Sequence, residues 1–370
     1  MEIKEELNYE GCNFFRLRLV YSVLSGRPIR IMKIRANSDE PGLKSFELNF
    51  LSLLENITNG TRLEISKTGF EDLYLSMFFS YYLEPLLMIA PFCKHPLRIQ
   101  LNGVTNTPDE LSVDTIRASW LPVFRKFVPT DEQLDIKNHL LKLEKIFQII
   151  SRGLKPDGGG TIIFTAPIVR VLRPVQCEKM GKICKIRGIA YVCKVSPSLA
   201  HRMIESAKRA LYGFIADVYI TLDQRKGTNG GNSPGYGIII TAETTEGVVF
   251  HGEAASKPKG ESGEPIIPED IGTLAANNLL NEIYSVHTSQ ALASTFMALV
   301  DKDVSKFLFG PLSNYCIHCL RHLKHFFGII FKIDDWWMLK KEQKKSSGSD
   351  EKAFLTCVGI GYSNLNKTIL

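Results

Sequence analysis

The chain has 370 residues, 44% of them hydrophobic and 23% charged, an ordinary globular balance that excludes wholesale disorder, collagen and coiled coil. Its formal net charge of +6 permits an anionic partner without requiring one. At about 150 residues per domain, the length predicts two or three folding units.

Met1 to Glu6 lacks the basic-then-apolar order of a secretory signal. The most apolar stretch, Leu73 to Cys93, is interrupted by Glu84 and Pro85. It therefore predicts a buried strand followed by a core helix, not a membrane span. Eight scattered cysteines in a chain of this size predict reduced thiols in the cytosol or nucleus, not a disulfide framework.

Two segments echo each other. Arg27 to Ile31, a polar loop with Pro41-Gly42 and a helical run from Phe46 to Ile57 match His95 to Ile99, a loop with Pro108 and a run from Val113 to Phe127. Pro28, Arg30 and Ile31 match Pro96, Arg98 and Ile99 at a constant offset of 68 residues. A looser third copy runs from Lys306 to Gly310 and then from Tyr315 to Phe327. Each unit is a short apolar strand, a loop and an amphipathic helix, which predicts one body built from similar α/β units.

Between the second and third copies the pattern changes. Ile186 to Val195 predicts a strand, Pro197 to Tyr212 a helix begun by Ser196, and Asp217 to Leu222 and Gly237 to Thr244 two further strands. The Gly-, Asn- and Pro-rich Lys226 to Gly235 predicts a mobile surface connection. A smaller α/β insert is expected over 184–261, with Lys257 to Pro268 leading back to the main body. Ser346 to Asp350 reads as a polar loop before a last strand, Phe354 to Ile360.

The most specific local motif runs from Arg152 through Gly153, Pro156, Gly158, Gly159 and Gly160 to Ile162. Successive glycines let backbone approach a neighbour or a phosphate. The glycines alone favour a packing turn over a ligand nest. From Gly11 to Arg35 there are six basic residues, Arg16, Arg18, Arg27, Arg30, Lys33 and Arg35, and no acidic one. They suit RNA phosphates or an ion-paired surface, and the residues leave both open. Arg321, Lys324 and His325 form a second basic group. Cys316, His318, Cys319, His322 and His325 imitate zinc spacing, but on a helix the cysteines continue a core stripe with Leu320, Leu323 and Phe327. No metal is expected. His287 reads as an ordinary histidine, and Lys340, Lys341, Lys344 and Lys345 as a solvated loop.

The glycine motif resembles the signature of the RNA 3'-terminal phosphate cyclase family. The likeness extends through Leu24 to Ile31, Ile34-Arg35, Pro41 to Leu43, Ile186 to Gly188, Ser196 to Ser198, Ser233 to Gly237, Gly310 to Ser313 and Cys357 to Asn364. It is similar to the cyclase-like branch that serves ribosome biogenesis. The resemblance implies an α/β (α+β) cyclase fold with a large domain of three repeated units and a small inserted α/β domain. On that basis 1–183 holds repeats one and two with the start of the third, 184–261 the insert, and 262–370 the rest of the third.

True cyclases form a covalent histidine–AMP intermediate, and the resemblance puts Tyr315 at the nucleophile position, with His318 three residues on. A phenol with a pKa of about 10 stays protonated at neutral pH. The family's acidic, glycine-rich first segment, which ends in Gln, reads Glu10 to Phe15 here, and its late acidic–Gln pair reads Ser289-Gln290. The expectation is a cyclase-silent protein without cofactor. It would work in the nucleolus, within the small-subunit processome, with pre-rRNA and a nucleolar GTPase as partners and no membrane. The RNA- or partner-binding candidates are Arg16, Arg18, Arg30, Lys33, Arg35, Arg152, Arg321 and Lys324. An active RNA end-processing enzyme, cyclase or endonuclease, is the alternative. Three features depart from the branch: a shortened, apolar connection through Phe70 to Tyr81, extra sequence from Asn138 to Ile150, and Thr161 in place of a glutamate.

Overall fold

The computed structural model describes residues 5–58, 60–65, 79–108, 110–129, 146–284, 289–336 and 352–365. The expectations placed on 70–78, 138–145, His287, the lysines at 340–345 and the loop at 346–350 fall outside these residues.

The first repeat opens with β1 (Leu7–Glu10), α1 (Phe15–Ser25), β2 (Ile29–Met32) and α2 (Ser45–Ile57). β1 and β2 pair in parallel, Leu7 beside Ile29 and Glu10 beside Met32. The predicted core helix is α3 (Phe79–Ile89), extended by a 3-10 turn at Ala90–Phe92. Its Leu83, Leu86, Leu87 and Met88 are almost fully buried, which accounts for the apolar run without a membrane. Among the described residues no helix is long and apolar enough to cross one.

The second repeat places β3 (Leu97–Gly103) before a helical stretch made of α4 (Val113–Thr115), a π-turn (Ile116–Trp120) and α5 (Leu121–Phe127). Then come β4 (Phe147–Ser151) and β5 (Gly160–Ala166). β5 lies between β3 and β4, antiparallel to both. The third repeat is split around an excursion. Its strands β6 (Gln176–Cys177), β11 (Val304–Phe309), β12 (Lys332–Asp335) and β13 (Ala353–Val358) lie in the order β12-β13-β11-β6. Between β11 and β12 runs α9 (Asn314–Phe327). It starts where Ser313 Oγ accepts the Cys316 amide and stops at Gly328, whose φ is +71°. The 68-residue echo is thus structural, since β2 begins at Ile29 and β3 at Leu97. These units share one large core with α8 (Gln290–Leu299), in which Phe296, Met297 and Leu299 are fully buried.

The excursion carries β7 (Ile183–Cys193), α6 (Ser198–Ala210), β8 (Val218–Arg225), β9 (Gly235–Thr244), β10 (Val249–Ala255) and α7 (Pro268–Tyr284). The strands lie in the order β10-β9-β7-β8. A second core joins Ile186, Ala190, Ile238 and Ile240 to Met203 and Ala207 of α6 and to Ile271, Ala275 and Leu279 of α7. This core runs past residue 261, where the sequence put the end of the insert. The Gly/Pro/Ser-rich segment there leads to α7, whose apolar face closes the same sheet.

Candidate functional site

The signature loop is built for close backbone contact. A Cβ on Gly153 would lie 2.2 Å from the Gly160 amide nitrogen and 2.4 Å from the Gly103 carbonyl oxygen, so no side chain fits. Gly159 takes φ +79°, and a Cβ there would meet the Asn232 side chain at 2.7 Å. The Lys155–Pro156 peptide bond is cis. Against this loop lies the 226–235 connection that composition predicts to be mobile. The Arg152 amide donates to Asn229 O, the Asn232 amide to Gly158 O, and the Asp157 amide to Ser233 Oγ. Gly230, Gly231 and Ser233 are buried. The glycines and asparagines supply turn geometry for docking on the signature loop, while Lys226 to Asn229 and Asn232 stay exposed, so the segment lies at the surface but is packed down at Gly230, Gly231 and Ser233.

Arg152 itself is 1% exposed. Its guanidinium pairs with Asp114 through two nitrogens, donates from Nε to Asp223 at 2.7 Å and reaches Asn106 at 3.1 Å. It also lies over the Tyr191 ring, 4.8 Å from its centre. Burial works to lower its pKa, but the two carboxylates outweigh that and raise it. Asp114, likewise buried, is held below its usual value by Arg152. One arginine thus ties the second repeat's helix to strands β7 and β8 of the insert. Buried and holding four hydrogen bonds inside the fold, Arg152 does not face solvent where RNA could reach it, contrary to the sequence expectation.

The second constellation surrounds Tyr315 at the start of α9. Its hydroxyl donates to Glu84 Oε2 at 2.8 Å. Arg16 approaches the same carboxylate at 3.5 Å and donates to the Tyr81 carbonyl at 3.0 Å. Burial first, and then the Glu84 charge, push the Tyr315 phenol well above its ordinary pKa. The phenol is therefore protonated and acts here as a hydrogen-bond donor to Glu84. Gln290 is 1% exposed and braces the turn into α9, donating to Pro311 O and accepting from Ser313.

Phe14 occupies space beside them. Its backbone has φ +58°, a left-handed conformation that suits glycine and strains an aromatic residue. The ring stacks on His318 with centres 4.4 Å apart and tilts against Tyr315 at 5.8 Å. The segment thus keeps a glycine-type backbone while filling the space with a phenyl ring. Arg18 is also turned inward. Its Nε donates to His322 Nε2 at 3.2 Å, Nη1 donates to Gly11 O, and the guanidinium covers the Tyr9 ring. His322 Nδ1 lies 2.6 Å from the His318 carbonyl and so carries the proton. Burial lowers its pKa to about 4 despite that bond, which keeps the imidazole neutral beside Arg18.

The remaining candidates divide clearly. Arg35 forms a two-point pair with Glu47. Arg30 and Lys33 are exposed but sit beside Glu6 and Glu10. Arg321, Lys324 and His325 are exposed on α9, and among the described residues the two cations have no ion pair. Arg27 joins them by donating to the His325 carbonyl at 2.9 Å. Cys316 and Cys319 are fully buried, with Cys319 against Tyr21 and Thr295, and no metal-holding cluster occurs among the described residues. Sequence reasoning missed Glu84, Asp114 and Asp223 as partners. An acid inside an apolar helix does signal that it must be paired, but spacing does not name the partner.

Comparison with known proteins gives a consistent set. The model of the family described as RNA 3'-terminal phosphate cyclase matches residues 7–333. A probable RNA 3'-terminal phosphate cyclase-like protein of Caenorhabditis elegans is 56% identical over 387 aligned positions, covering 99% of both chains. The cyclase-like protein of Homo sapiens is 46% identical over 382 positions, covering 98% of each. An rRNA processing protein of Schizosaccharomyces pombe is 34% identical over 383 positions, again covering 98% of each. These alignments are longer than the 370-residue chain, so the relatives carry residues that it lacks.

Proposed function

Because this chain belongs to the RNA 3'-terminal phosphate cyclase family, we propose that it is a non-catalytic pre-rRNA processing factor of small-ribosomal-subunit assembly. The relative that is an rRNA processing protein supports the process. The observation that carries the non-catalytic reading is the phenol of Tyr315, buried and spent on Glu84. In the cyclase reaction that the family resemblance implies, a histidine nitrogen attacks the α-phosphate. Here that position offers a protonated hydroxyl, with the Phe14 ring packed alongside.

Binding then falls to the exposed face of α9. Arg321 lies three residues from Lys324 and four from His325, so the three share one helix face. Flexible cations of this kind hold phosphates by charge, without reading bases. In this proposal the protein works in the nucleus, in the nucleolar processome, with a GTPase partner that supplies the switching. The rigid three-repeat body presents the surface.

The test is incubation of the full chain with ATP labelled at the α-phosphate. No protein adenylate is expected, while affinity capture from nucleolar extract recovers a GTPase and pre-rRNA. An acid-labile AMP adduct, conversion of an RNA 3'-phosphate to a 2',3'-cyclic end, or RNA cleavage by the pure protein would make it an enzyme instead.

A further inference from the structure

The insert leaves one end of its sheet uncovered. Ile186 and Ile220 point into the second core, so Arg187 and Tyr219, which follow and precede them in β7 and β8, point to the sheet's opposite face. That face is closed at one end, where Tyr191 lies under Arg152 and Asp223 accepts from it. At the other end Tyr219 is 62% exposed. The whole region belongs to the unbroken run 146–284, and β8 is the outer strand of its sheet.

Among the described residues, Tyr212, Phe214 and Tyr219 are the only exposed Phe, Tyr or Trp rings, and all three fall within eight positions. Tyr212 is 91% exposed, and neither tyrosine has a ring contact or a hydroxyl partner among the described residues. The chain leaves α6 at Ala210, turns with the Tyr212 amide on Arg209 O and the Phe214 amide on Leu211 O, and enters β8 at Val218. The rings thus follow the chain from the helix layer to the far face of the sheet. Cations accompany them. Arg187 lies beside Tyr219 in register, and Asp217 holds its guanidinium through two nitrogens at 2.8 and 2.9 Å while the side chain stays 42% exposed. Lys208 and Arg209 end α6, exposed and without an ion pair among the described residues.

We propose that this strip is a stacking platform for unpaired pre-rRNA nucleotides, a second RNA contact that rests on the pre-rRNA reading above. Every base offers a flat π-face, so exposed rings hold single strands without reading sequence. A guanidinium plane such as that of Arg187 stacks on bases as well. Stacking needs rings that are open to solvent and not already stacked, and phosphates need cations that are not already paired. The strip meets the first need with Tyr212 and Tyr219 and the second with Lys208 and Arg209. An apolar protein partner would cover the rings and leave these cations unanswered, whereas one RNA strand answers both.

The test uses the full chain and a fluorescein-labelled single-stranded RNA of about 12 nucleotides, read by anisotropy. Tyr212→Ala and Tyr219→Thr, the latter keeping a strand former, should each weaken binding about fivefold or more. Neither should change the salt slope, because a ring releases no counterions, while Lys208→Ala should reduce it by about 0.7. Tyr219→Phe keeps the ring and should bind within about twofold of wild type. Hydroxyl-radical footprinting should find the three rings reactive in the free chain and protected by the RNA. Wild-type affinity in both tyrosine variants, equal binding of an RNA duplex, or rings shielded before RNA is added overturns the platform. So does protection of the rings by a captured protein and not by RNA. Weakening by Arg321→Ala alone would sink the platform and leave RNA on α9. If the wild-type chain binds no RNA the platform falls, and the pre-rRNA reading falls with it only when nucleolar capture also recovers no pre-rRNA.

Discussion

The Arg152 junction and the pocket around Tyr315 both bury guanidinium groups, but their chemistry differs. At the junction one arginine meets two carboxylates, an amide and an aromatic face, so charge and donors are matched. In the pocket, Arg16 and the Tyr315 hydroxyl share a single carboxylate, while Arg18 leans on a neutral imidazole. The glycine signature, whose glycines alone favour a packing turn over a ligand nest, packs against the 226–235 segment. The place that the resemblance matches to the true cyclases' covalent step holds polar groups bonded to one another. A motif thus marks where backbone or charge must be controlled, and the partners decide whether the purpose is binding or cohesion.

The largest effect should come from breaking the junction. Arg152→Ala leaves Asp114, whose side chain is 3% exposed, without its counter-charge in a dry site. Removing one partner of such a pair costs about 3–5 kcal/mol, read as a lowered urea midpoint. Asp114→Asn in the same chain should recover part of the loss, because the stranded charge disappears. A loss of less than about 1 kcal/mol for Arg152→Ala would show that the junction contributes little to cohesion.

How far the sequence foretold this can be judged at particular residues. α9 was legible because the stripe of Cys316, Cys319, Leu320, Leu323 and Phe327 has helical spacing. The glycine loop was legible as a place without room for side chains. Its arginine was misread because Asp114 lies 38 residues before it and Asp223 71 after, and no local pattern links them. Lys226 to Gly235 was legible as a surface turn, but its packing was not, because glycine and asparagine report turn conformation and not whether a turn packs against something. β10 escaped notice because Val249 to Ala255 contains His251, Gly252 and two alanines, a weak strand signal that pairing with β9 overrides. Phe14 carried no signal of its left-handed backbone beyond its place in a segment that the family fills with glycine.

A middle-sized effect should appear when pH is lowered. The His322 imidazole takes up a proton near pH 6.5 in an unfolded chain. In the fold, burial above all pushes that to about 4. Between these values the unfolded state binds more protons, so stability rises with pH. The contribution is complete above pH 6.5 and is lost as pH falls toward 4. Allowing for solvent screening it amounts to about 2 kcal/mol. His322→Gln, which keeps an acceptor for Arg18, should flatten this part of the curve relative to wild type. Parallel curves for the two proteins would mean that the neutral imidazole does not hold Arg18 in place.

The smallest stability effect, and the sharpest contrast with Arg152, is expected at Arg321 and Lys324. Both are exposed on α9 and unpaired among the described residues, so alanine at either should change folding stability by less than about 0.5 kcal/mol. Their role would emerge only with RNA present. Each loss should weaken binding of a single-stranded pre-rRNA fragment about fivefold at low salt and reduce the slope of log affinity against log salt by about 0.7. Arg30→Ala, which removes a cation already beside Glu6, should change that slope less. If all three variants shift it equally, RNA follows net charge instead of the α9 face. If none does, the basic face holds a protein, because a surface that contacts no phosphate releases no counterions.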